Sequence, residues 1–213
     1  MPKKADSFDQ KQKEFQVAYA NAMARWAQVE GSLAMIFSMM AGITPALAYS
    51  LYYSLRSFDA RVGLFKSAIP HSKLPKKDGA TLRAFANKAR ALAAFRNTLA
   101  HGSFSLNMNR QSPTFGELIL TDGKYQFQSD EVKSEGLKSA LTKGDLIKLD
   151  RIFVRLDNVL NNYWADRFSP GRHLQPSRYR ARVLAIPIPQ FPKPTTPTPS
   201  THQRKPKLPS RKG

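Results

Sequence analysis

The chain has 213 residues, with 34 Lys and Arg against 15 Asp and Glu and a formal net charge of +19. That length holds one ordinary domain plus an extension, and a charge of that sign favours polyanionic partners over acidic ones. There is no cysteine, so disulfides and thiolate metal sites are excluded.

The N-terminus is polar after Met1 and has no apolar run of signal-peptide type, which predicts a cytoplasmic protein. A first helix is expected from Ser7, with Gln10 three residues on in a capping-box pattern. Phe15, Tyr19, Ala22, Trp26, Val29, Leu33, Ile36 and Met40 then recur at alternating spacings of four and three, a seam along one helix face. Gly42 ends this helix. Thr44 caps the next, with Pro45 at its first position, and it runs to about Leu55. Gly31 to Leu55 carries no charged residue and is long enough to cross a bilayer. The break at Gly42–Pro45, with several serines and tyrosines, instead predicts two buried helices and no membrane partner.

Ser57 is expected to cap a third helix, with Phe58, Val62, Leu64, Phe65 and Ile69 inward and Pro70 at its end. His71 to Lys77 reads as a basic loop. Asp78 is expected to cap the fourth helix, on which Leu82, Phe85, Ala89, Leu92, Arg96 and Leu99 share one stripe. After Gly102 the period becomes two. Leu118-Ile119-Leu120 and Tyr125-Gln126-Phe127, around Asp122-Gly123, read as a hairpin. Thr142 is expected to cap a last helix through Phe168.

Residues 169–213 hold ten of the 15 prolines, ten Lys or Arg, and no acidic residue. They read as a Pro-rich basic tail, disordered because its composition offers little apolar area to bury. The predicted fold is mainly α: a bundle of about five helices over residues 1–168, with a small β-hairpin insertion at about 103–128. No cofactor and no metal is expected, since no His-x3-His pair or carboxylate cluster occurs.

The candidate chemistry lies in Arg96-Asn97-Thr98-Leu99-Ala100-His101-Gly102. Arg96 falls on the inward stripe, where an arginine is costly unless paired. Asn97 and His101 are four apart and share a helix face. Arg96 and His101 are five apart, a rotation of about 140°, which does not suit a metal pair. It suits a histidine held at a helix end by Asn97, with the arginine reaching into a common cleft. A plainer reading also stands: an imidazolium before a helix-ending glycine answers the helix dipole.

The Arg-Asn-x3-His run resembles the Arg-x4–6-His motif of the HEPN superfamily, including the polar residue after the arginine. The likeness covers residues 7–168. A long first helix carries Trp26, Val29, Glu30 and Leu33, a helical pair follows, and the motif closes a later helix. The strand-like stretch departs from the minimal family bundle. The resemblance implies a metal-independent endoribonuclease, with Arg96, Asn97 and His101 catalytic and two copies facing each other in a homodimer. RNA would be the substrate, and a toxin or phage-defence role with an antitoxin partner would fit. Glu30, beside the first-helix seam, is a supporting candidate as a partner for Arg96. Competing readings are a non-catalytic RNA- or nucleotide-binding module, or a helical scaffold whose basic tail recruits a partner.

Overall fold

A computed structural model describes residues 8–108, 110, 115–122, 140–169 and 174–190. The described chain forms six α-helices and one two-stranded antiparallel sheet. The helices are α1 (Phe8–Ala41), α2 (Pro45–Ser54), α3 (Phe58–Ala68), α4 (Gly79–His101), α5 (Lys143–Phe168) and α6 (Pro176–Leu184). Strands β1 (Gly102–Leu106) and β2 (Leu118–Asp122) lie between α4 and α5.

The α1 seam is the spine of the core. Phe15, Ala22, Trp26, Val29, Leu33, Ile36 and Met40 are all buried. Opposite them, Leu146, Leu149, Ile152, Phe153, Leu156, Val159, Leu160 and Tyr163 line the buried face of α5. These two helices make the most extensive pair in the fold. They run parallel, as the cross-links Glu14–Lys143, Arg25–Asp150 and Ser32–Asp157 show by rising together in number. Trp26 sits at the middle, edge-on to Phe58 of α3 and Phe153 of α5. Burial of each such side chain stabilises by roughly 1.5–3 kcal/mol.

Several predicted caps are present. The Thr44 hydroxyl accepts from the Leu47 N–H, with Pro45 at the first helical position. Ser57 caps α3 through the Ala60 N–H at 3.1 Å. Thr142 and Asp145 form a reciprocal capping box at the start of α5. Gly42 adopts φ +65°, the left-handed turn that lets α1 end. The chain bends by 117° between α1 and α2, and among the described residues no single helix is long and apolar enough to cross a membrane.

Asp78 departs from expectation. It precedes α4 in αR geometry and makes no side-chain cap. Its fully buried carboxylate instead accepts from the Tyr163 hydroxyl at 2.5 Å and from Arg167. A carboxylate removed from water takes its strongest available donors, and here those lie on α5. The bond ties the start of α4 to the end of α5.

The period-two stretch after Gly102 forms a strand. β2 pairs with β1, from Gly102 opposite Asp122 to Leu106 opposite Leu118. The expected partner, Tyr125–Phe127, lies outside the described residues, as does the proposed cap at Ser7. Leu120 also exchanges backbone hydrogen bonds with Leu141, both at 2.9 Å, so the hairpin is clamped just before α5 begins.

The largest difference lies past Phe168. The domain does not stop there, and the segment expected to be disordered contains α6. Pro176 opens this helix, and Tyr179, Val183 and Ile186 are buried against the rest of the fold. The Thr81 hydroxyl donates to the Pro176 carbonyl at 2.8 Å. Lys88 donates to the Leu184 and Ile186 carbonyls, satisfying the exposed end of the short helix. Proline frequency and charge argued for disorder, but the apolar set in this stretch recurs at 179, 183 and 186, one helix face.

Candidate active site

The site is built on the last two turns of α4. Leu99 holds this end in the core, and its carbonyl accepts from the Tyr19 hydroxyl of α1 at 3.0 Å. Gly102 follows with φ −74° and ψ 156°, an extended geometry open to any residue. Its lack of a side chain matters for space. A Cβ there would lie 2.8 Å from both Leu120 Cγ and the Thr121 carbonyl oxygen of β2, and closer still to the Thr98 carbonyl. Only glycine lets β1 leave the helix at once while β2 packs against the turn. The turn after His101 is thereby fixed by close approach rather than by backbone freedom.

Arg96, Asn97 and His101 line one open cleft of about 450 Å³, together with Arg56, Asp59 and Arg90. The arginine and the histidine, five apart on the helix, are brought to the same cavity because Arg96 lies at its inner wall and His101 at the exposed helix end. Asn97 is exposed, and its side-chain oxygen accepts from Arg96 Nη1 at 3.3 Å. Among the described residues no hydrogen bond links Asn97 to His101. The asparagine therefore braces the arginine rather than the imidazole.

Arg96 is explained by Glu30. The Glu30 carboxylate is 4% exposed. Its Oε1 accepts from Trp26 Nε1 at 2.5 Å and lies 3.8 Å from Arg96 Nε. Its Oε2 accepts from Arg61 Nη1 at 2.5 Å. Arg61 also donates to the Leu55 carbonyl and lies over the rings of Tyr52 and Tyr53. One buried carboxylate thus joins α1, α3 and α4 behind the cleft. The stripe position of Arg96, read from sequence as needing a partner, has that partner within its own chain.

Arg61 was not singled out by sequence reasoning, nor were Arg56 and Arg90. The available signal for Arg61 was its place three residues after the inward Phe58, on a helix facing the lone acidic residue of the α1 core. Burial, and then Glu30, raises the hydroxyl pKa of both flanking tyrosines, Tyr53 to about 12, so both stay protonated at neutral pH. Arg90 pairs with Asp59 at 2.9 Å in an exposed bridge. Such a pair adds little to stability and opens readily to a stronger anion.

The arrangement offers a guanidinium fixed from behind by a buried carboxylate, an exposed imidazole, and two further arginines around one opening. It suits a phosphate diester: planar charge-assisted donors for the non-bridging oxygens and one imidazole that can accept or donate a proton. Among the described residues, no three His, Asp or Glu side chains cluster in a way that would hold a metal ion. No protein-family model, curated protein or solved structure matches the chain.

Proposed function

We propose that this chain is a metal-independent endoribonuclease of HEPN type. The observation that carries the reading is that Arg96, Asn97 and His101 line one basic cleft, with Arg96 anchored on the buried Glu30. In the proposed reaction the ribose 2′-oxygen attacks the adjacent phosphorus. His101 takes the hydroxyl proton, Arg96 stabilises the charge that develops on the phosphorane oxygens, and the bond to the 5′-oxygen breaks. The products are a 2′,3′-cyclic phosphate and a 5′-hydroxyl.

The departing 5′-oxygen needs a proton. The cleft contains one histidine, so a second copy of the chain, presenting its own His101, would supply the acid. Arg96 lies 3.8 Å from Glu30, which it shares with Arg61, so a homodimer rests on this proton balance and not on an arginine without a counter-charge.

The test is substitution at exposed or half-exposed positions. His101→Ala is expected to lower the cleavage rate by about 10²–10⁴-fold and Arg96→Ala by about 10²–10³-fold. Both variants should keep the wild-type circular dichroism spectrum. Unchanged cleavage by His101→Ala would return the histidine to a plain helix-end role.

A further inference from the structure

Helix α4 carries no acidic residue over 23 positions, and α6 none over nine. Along the solvent side of α4, Arg83, Asn87, Arg90, Ala94, Asn97 and His101 are all exposed and alternate by four and three, so they form one straight stripe. Its lower half belongs to the cleft described above. Its upper half, Arg83 and Asn87, forms one wall of a groove of about 590 Å³ between α4 and α6. Arg180, Leu184 and Ile188 form the other wall. Leu184 and Ile188 are 56% and 48% exposed, an apolar floor left open between arginines. Lys88 borders this groove, but its ammonium is committed to the carbonyls ending α6, and burial lowers its pKa.

We propose that the α4–α6 groove binds the backbone of single-stranded RNA that continues from the His101 cleft. The proposal rests on the ribonuclease reading only for the identity of the polymer. Charge complementarity selects the occupant. The chain's own stretch 191–213 is repelled from the groove, since that stretch has basic residues and no acidic ones. A strand with one charge per nucleotide is attracted along the whole stripe. From position 83 to 101 the helix rises about 27 Å, so the strand would contact several phosphates beyond the one cleaved. Arginines at the rim would take phosphate oxygens, and the apolar floor would take base faces without sequence preference.

Binding is measured by fluorescence anisotropy on a 20-nucleotide strand with 2′-O-methyl riboses. This strand has no nucleophile, so the result does not depend on catalysis by Arg96 and His101. Arg83→Glu/Arg180→Glu is expected to weaken binding about tenfold or more at 0.15 M salt. It should also make the slope of log affinity against log salt shallower by about 1.4, for two lost phosphate contacts. A control, Lys148→Glu/Arg151→Glu on the exposed side of α5, changes net charge equally and should lose much less. Equal losses in the two double variants would overturn the groove as a site, leaving only general charge. RNA binding unchanged in the groove variant, with binding to phosphatidylserine vesicles lost, would overturn it in favour of a membrane surface. An RNA that binds through the groove but is cut by no form of the protein would leave this proposal standing and remove the ribonuclease reading.

Discussion

Glu30 is a charged residue among apolar ones, and its carboxylate is shared by Trp26, Arg61 and Arg96. Removing the negative charge strands Arg61, whose side chain is 13% exposed, and loosens Arg96. Breaking such a buried pair costs about 3–5 kcal/mol. Glu30→Gln is therefore expected to lower urea stability by roughly that amount and also to reduce cleavage, whereas His101→Ala should reduce cleavage alone. If Glu30→Gln leaves both unchanged, the carboxylate is not the anchor of the arginine. Sequence reading found Arg96 in an anomalous position and named Glu30 as a possible partner from its nearness to the seam. It missed Arg61, because the link between residues 30 and 61 depends on how α3 packs on α1, which periodicity does not encode. Asn97 shows the opposite error. Its spacing to His101 was right for a shared face, but the adjacent guanidinium is the stronger donor and takes the amide oxygen.

At the level of elements, the helices with strong three-four spacing and local caps were legible from sequence: α1 through α5 begin and end close to where Thr44, Ser57, Gly42 and Thr142 place them. The pairing of β1 with β2 was not, because alternation marks a strand without naming its partner. Helix α6 was masked by its composition. It is held by Tyr179, Val183 and Ile186, and by the Thr81 and Lys88 hydrogen bonds. Truncation after Phe168 should therefore remove three buried apolar side chains, worth roughly 1.5–3 kcal/mol each, uncover the surface they pack on, and lower the midpoint of thermal unfolding markedly. Truncation after Gln190 should leave the midpoint unchanged. Equal midpoints for the two truncations would show that α6 adds nothing to the fold. Asp78→Asn tests the other end of α4. It leaves Arg167 without its buried counter-charge and is expected to cost about 3 kcal/mol or more in urea unfolding.

At the scale of the whole molecule the net charge is +19, and α4 contributes no acidic residue to it. The acidic residues near α4 are engaged: Asp78 with Arg167, Asp59 with Arg90, and Asp166 with Tyr179. The long stripe of α4 faces solvent with arginine, asparagine and histidine. In the proposed dimer, each copy brings one acid–base group to a shared cleft. Specific activity is then expected to fall on dilution below the dissociation constant of the dimer, in step with the mass measured by light scattering; activity that is constant in a monomeric protein would remove the second histidine from the scheme. Cleavage by the 2′-oxygen without a metal is written in the ends of the products. Single-stranded RNA is incubated with the purified protein in excess chelator, and the fragments are analysed by mass spectrometry. Fragments ending in 2′,3′-cyclic phosphate, with 5′-hydroxyl partners, are expected, and none from His101→Ala. Fragments ending in 3′-hydroxyl with 5′-phosphate, or cleavage that requires a divalent metal, would contradict this mechanism.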